Sequence, residues 1–123
     1  MNAFVPTNAA VWFEIPASDQ ARSKDFYATV TGNPLNDEAG GPNPMSRFTA
    51  RGEASVSGHI YPGKPAAPGT GPTIHLAVDN VDAAVTRVVE AGGKVVSPVI
   101  SIPAGRFAYC LDLDGNSFWV FSI

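Results

Sequence analysis

The feature that most restricts the fold of this 123-residue chain is a strand-then-helix pattern that occurs twice, offset by 61 residues. In the first copy, Val11 to Ala17 (VWFEIPA) mixes apolar and polar residues over a strand's length, and Ser18-Asp19 follows as a helix N-cap signal. The helix expected there carries Ala21, Lys24, Phe26, Tyr27 and Val30 before Gly32, Asn33 and Pro34 end it. In the second copy, Thr73 to Val78 (TIHLAV) leads into Asp79-Asn80. Val81, Ala84, Val85 and Val88 then follow at i, i+3, i+4, i+7 spacing until Gly92-Gly93 stops the helix. Superposition puts Phe13 on Ile74, Ile15 on Leu76, Asp19 on Asn80, Tyr27 on Val88 and Gly32 on Gly93. This reads as an internal duplication with little residue identity left.

Between the copies runs Pro62-Gly63-Lys64-Pro65-Ala66-Ala67-Pro68-Gly69-Thr70-Gly71-Pro72, which lacks the donors and regular backbone of a helix or central strand. Residues 1–61 and 73–123 are therefore read as two modules joined by a linker over 62–72. Modules of about 60 residues bury too little surface to be stable alone, so a single domain with one shared core is expected. After each helix come strand-like stretches: Arg47 to Thr49 and Ala54 to Ile60 in the first module, Val95 to Val99, Arg106 to Leu111 and Ser117 to Phe121 in the second. Asp114-Gly115 supplies a tight hairpin between the last two. Gly40 to Pro44 reads as a surface connection. Cys110, the single cysteine, allows no internal disulfide and sits among strand residues, where burial is expected.

A net charge of −3 with scattered basic residues gives no field to gather phosphates, so nucleic acid is not an expected partner. No apolar run approaches the ~18 residues needed to cross a bilayer, and the start lacks the pattern of a signal peptide. No membrane contact and a cytoplasmic location are expected. Nucleophile elbow, phosphate-loop and dinucleotide-binding motifs are all absent from the sequence.

Three signatures carry a family resemblance: Trp12-Phe13-Glu14-Ile15-Pro16-Ala17-Ser18-Asp19 with Phe26-Tyr27 and Gly32 downstream, Ala91-Gly92-Gly93-Lys94-Val95, and Asp112-Leu113-Asp114-Gly115-Asn116. In order and spacing the chain resembles the vicinal oxygen chelate superfamily, which includes glyoxalase I, extradiol dioxygenases and bleomycin-binding proteins. The last signature departs from that pattern in carrying Leu113 where the family usually has proline. The resemblance implies an α+β fold of two tandem βαβββ modules, whose curved mixed sheet surrounds a cup. It also implies metal ligands at the start of each first strand and in each last strand. Here those places fall on Trp12, Thr73 and Trp119, with a fourth near Gly58 or, one residue on, His59. A catalytic divalent ion needs about three His, Asp, Glu or Cys ligands, so no metal or other cofactor is expected at the usual site. His59, close to the end of its strand, is expected to be a surface residue.

Strand alternation puts Trp12, Glu14 and Pro16 on one face and Thr73, His75 and Ala77 on the equivalent face of the second module. The resemblance implies that these faces line the cup. If Glu14 and His75 meet across the pseudo-twofold axis, they form an acid/base couple suited to enolisation, epimerisation or elimination. The alternatives are a hydrogen-bonded polar pair that stabilises the sheet centre, or two residues whose cups lie on opposite sides of a dimer and never touch. Trp12 and Trp119 are placed to stack on a planar ligand or to fill the space of a lost metal. Ser117 and Phe121 share the inward parity of Trp119, and Tyr109 approaches from the neighbouring strand.

Three functional expectations follow. The first is metal-free capture of an apolar or aromatic small molecule. The second is a lyase, isomerase or dioxygenase-type enzyme using Glu14 and His75, or an unconventional metal site that includes His59. The third is a partner module whose cup is packed shut. A homodimer is expected, because pairing completes the cups and covers free sheet edges.

Overall fold

The computed structural model describes residues 4–52 and 54–123. Its elements are β1 (Trp12–Ala17), α1 (Gln20–Thr31), β2 (Asn36–Glu38), β3 (Met45–Arg47), β4 (Ser57–Pro62), β5 (Ile74–Ala77), α2 (Val81–Glu90), β6 (Lys94–Val95), β7 (Ile100–Ile102), β8 (Gly105–Leu111) and β9 (Ser117–Ser122). One sheet has the order β1-β4-β3-β2, the other β5-β9-β8-β6 with β7 also paired to β8. In each, the strand before the helix lies parallel to the last strand of its module, and the remaining pairs are antiparallel.

Local chemistry explains the repeat. Asp19 and Asn80 cap the two helices, their side chains accepting from the backbone N–H of Arg22 at 3.1 Å and Ala83 at 2.9 Å. Gly32 ends α1 in the left-handed region at φ 76°, and Gly92 does so after α2 at φ 97°. The offset between modules is thus 61 residues up to the helices and 60 after them, because α2 is the shorter helix.

Phe26, Tyr27 and Val30 of α1, Val81, Ala84 and Val88 of α2, Ile15 and Ile60 of the first sheet, and Leu76, Ala108, Phe118 and Val120 of the second form one buried cluster. Tyr27 links the modules: its ring meets Phe48 at 5.3 Å and Phe118 at 5.4 Å, and its hydroxyl donates to Asp112 at 2.6 Å. Burial, followed by the charge of Asp112, pushes that hydroxyl's pKa well above its ordinary value. Cys110 lies in the same cluster, and burial pushes its thiol up to about 11, which suits an inert core residue.

The structure corrects several expectations. The first module's third strand is Met45–Arg47 rather than Arg47 to Thr49, and its last strand starts at Ser57 rather than Ala54. In the second module, β6 is Lys94–Val95, so of the expected run Val95 to Val99 only Val95 lies in it, and Ile100–Ile102 forms the next strand. The tight hairpin at Asp114-Gly115 is instead a five-residue connection, because Asp112 organises it: one carboxylate oxygen accepts from the N–H groups of Asp114 and Asn116, both at 2.9 Å. The linker rests on this turn, with Gly69 N–H donating to the Gly115 carbonyl at 2.9 Å. Gly40 to Pro44 connects β2 and β3 at the surface.

The paired glycines after α2 serve two ends. Gly92 supplies the positive φ, whereas a Cβ on Gly93 would lie 2.7 Å from the Leu111 carbonyl oxygen and 2.7 Å from the Phe26 ring. Gly93→Ala is therefore expected to destabilise the protein by about 2 kcal/mol, since a backbone oxygen cannot move aside as a side-chain tip can. Urea denaturation checks this, and an unchanged midpoint would contradict it.

Candidate functional site

Each sheet turns one face to the shared core and the other away from it. On β1 the burial alternates, with Ile15 and Ala17 buried and Trp12 and Glu14 exposed. On β9, Phe118, Val120 and Ser122 are buried while Ser117, Trp119 and Phe121 are half-buried on the outer side. The alternation places Trp12, Glu14, Thr73, His75, Tyr109, Ser117, Trp119 and Phe121 on outer faces, the first two on one sheet and the rest on or beside the other.

On the first sheet the register pairs Glu14 with His59. The His59 Nε2 lies 3.1 Å from Glu14 Oε1, and its Nδ1 accepts the Trp12 indole N–H at 2.8 Å. The Arg47 guanidinium stands 5.4 Å from the centre of the Trp12 ring and 3.6 Å from Glu38. Glu14 therefore finds its imidazole within its own sheet, and the expected couple with His75 is not what holds its carboxylate. His59 itself is 7 % exposed, contrary to the surface position expected for it. It is flanked by β1 and β3 and covered by Trp12. A carboxylate bonded to an imidazole can take or hold a proton, and this pair is the one such arrangement among the outer-face residues described.

On the second sheet, three rings form a ladder. His75 stacks on Trp119 with centroids 3.6 Å apart at 6°, and Phe107 stacks at 3.6 Å and 12°. Tyr109 meets Trp119 edge-on at 5.3 Å and 84°. Both faces of the Trp119 indole are thereby occupied, so it is a slab within the ladder and not itself a free stacking surface. Its N–H is buried and has no partner among the described residues. Burial lowers the pKa of His75, favouring neutral imidazole. Thr73 and Ser117 share a hydrogen bond of 2.9 Å beside the ladder. A cleft of about 360 Å³ adjoins β5, lined by residues including Phe13, Phe48, Ser57 and His75.

The four places where the resemblance implies metal ligands become definite. Glu14 pairs with His59 as His75 pairs with Trp119, so the position equivalent to Trp119 is His59 and not Gly58, whose side faces the Phe13 ring. The set is Trp12, His59, Thr73 and Trp119. Two indoles offer no lone pair in the ring plane, and both nitrogens of the one imidazole are already engaged. This donor set does not fit a catalytic divalent ion. Among the described residues, no group of three or more His, Cys, Asp or Glu side chains could hold one.

Two units that each run strand, helix, then strands, with the first strand parallel to the last, have the fold of the glyoxalase-like small α+β proteins. The comparisons agree: the chain belongs to the Glyoxalase/Bleomycin resistance protein/Dioxygenase superfamily, which it matches over residues 9–120. It is 37% identical over 110 residues to CFP32 of Mycobacterium tuberculosis, a glyoxylase by name, covering 85% of this chain and 41% of that one. It is 33% identical to the anthracycline biosynthesis protein DnrV of Streptomyces peucetius, covering 98% of this chain and 48% of that protein. The chain thus spans less than half the length of these curated relatives. Among solved structures it resembles TnmS3, an antibiotic binding protein from Streptomyces sp. CB03234, with a TM-score of 0.68, 29% identity, and coverage of 97% of this chain and 98% of that one. No helix among the described residues is long and apolar enough to cross a membrane.

Proposed function

We propose that the protein binds a small planar aromatic molecule without a metal, against the outer face of the second sheet. The observation that carries this reading is the ladder of His75, Trp119 and Phe107 with Tyr109 at its edge, a rigid aromatic surface turned away from the core. Such a surface costs free energy in water and gains it back under a flat apolar ligand. The likeness to an antibiotic binding protein and to a protein named for anthracycline biosynthesis supports small-molecule binding.

One sheet covers one side of a ligand. A homodimer supplies the opposite wall, the outer face of the first sheet with Trp12 and Glu14 from the second copy closing over the ladder of the first. Trp12 at 40 % and Tyr109 at 38 % exposure are large aromatic surfaces such pairing would cover. Light scattering is expected to give twice the chain mass of 12.8 kDa. Titration with 2-aminoanthraquinone, followed by tryptophan fluorescence and calorimetry, is expected to saturate with a one-to-one ratio per chain. Tyr109→Ala should weaken that binding about tenfold through loss of one aromatic wall, roughly 1.4 kcal/mol. A probe that fails to saturate the wild-type protein would remove the reading.

A further inference from the structure

We propose that Glu14 is the group that selects the ligand, accepting a hydrogen bond from a hydroxyl or amino group on the ligand's edge, so that the cup takes aromatic molecules with a free donor and rejects their alkylated counterparts. This rests on the binding reading above and adds the chemistry the ligand must present.

The polarity of the Trp12–His59–Glu14 chain follows from its first member. An indole N–H can only donate, so His59 Nδ1 must present its lone pair at the 2.8 Å contact. Neutral imidazole then carries its proton on Nε2 and donates it to Glu14 Oε1 at 3.1 Å. Every hydrogen bond in the chain points toward the carboxylate. Its second oxygen, Oε2, has no partner among the described residues, and the Glu14 side chain is 56% exposed while that of His59 is 9% exposed. A buried, tautomer-fixed imidazole thus orients an exposed carboxylate with one acceptor left to offer. Arg47, on the neighbouring strand β3, stands over the Trp12 ring and pairs with Glu38.

A ligand that covers Glu14 strips water from that oxygen. A ligand N–H or O–H replaces the lost hydrogen bond, whereas a methylated nitrogen or oxygen leaves a desolvated charge unmet. Discrimination therefore comes from the penalty on the capped ligand as much as from the bond to the free one.

The test compares 2-aminoanthraquinone with 2-(dimethylamino)anthraquinone by calorimetry on the full chain. Wild type is expected to bind the amino compound at least about tenfold tighter. Glu14→Met keeps side-chain length at an exposed position and removes the acceptor; it should bind both compounds with similar affinity. Trp12→Phe should shrink the preference while leaving Glu14 in place, and long-range proton–nitrogen spectra should show His59 as the Nε2–H tautomer in wild type. Equal binding of both compounds by wild type, a preference that survives in Glu14→Met, or an Nδ1–H tautomer overturns the selection by Glu14 while ligand binding itself stands. Binding of neither compound overturns both readings.

Discussion

Asp112→Ala is expected to lower the unfolding free energy by about 3–4 kcal/mol, a third or more of the stability of many domains of this size. Asp112 is 6% exposed and accepts four hydrogen bonds. Oδ1 takes the backbone N–H groups of Asp114 and Asn116, and Oδ2 takes the Tyr27 hydroxyl and the Asn116 side-chain amide. Alanine leaves the Tyr27 hydroxyl fully buried without an acceptor and releases the turn on which Gly69 of the linker rests. Tyr27→Phe removes one donor and leaves the turn intact, so it should cost only about 1 kcal/mol. In the double variant Tyr27→Phe/Asp112→Ala, the hydroxyl is no longer stranded, and part of the loss should return. Urea denaturation of the three variants measures this coupling. A loss below about 1 kcal/mol in Asp112→Ala would show that the turn and the hydroxyl find other acceptors.

The elements legible in the sequence were those whose signals are local. Asp19 and Asn80 announce helix starts through their own side chains, and the Val81, Ala84, Val88 spacing marks a buried helix face. Strand β2 escaped because Asn36, Asp37 and Glu38 are polar and exposed throughout, leaving no alternation to read. The role of Asp112 also escaped. A carboxylate that satisfies a five-residue turn and a tyrosine 85 positions away looks, in one dimension, like part of a turn motif.

Parity grouped the outer-face residues and the family resemblance chose the face, and Glu14, His75, Trp119 and Tyr109 lie where alternation puts them. Their partners were not legible, because cross-strand pairing depends on register. Extending the offset of 61 past the helices led to Gly58, and the one-residue change to 60 brings His59 opposite Glu14 instead. One slip of register exchanges core and outer faces; His59, expected at the surface because it lies close to the end of its strand, is instead on the outer face under Trp12. Phe107 was missed as part of the ladder although it shares parity with Tyr109 two residues on, a signal that was available.

Replacing Trp119 separates what its ring contributes from what its N–H costs. Trp119→Ala removes the slab between His75 and Phe107 and is expected to destabilise by about 3 kcal/mol, because both neighbouring faces lose their contact and the space does not close. Trp119→Phe keeps an aromatic ring between them and deletes a buried donor that lacks a partner among the described residues, a group whose burial alone costs about 1–3 kcal/mol. The loss of ring area and the relief of the donor act in opposite directions, so the phenylalanine variant should remain within about 1 kcal/mol of wild type. Denaturation followed by circular dichroism, which does not depend on the deleted fluorophore, gives both values. If Trp119→Phe is as damaging as Trp119→Ala, the indole N–H is engaged in solution by an acceptor from water, ligand or a second copy, and its contribution belongs to binding at this face and not to strain in the sheet.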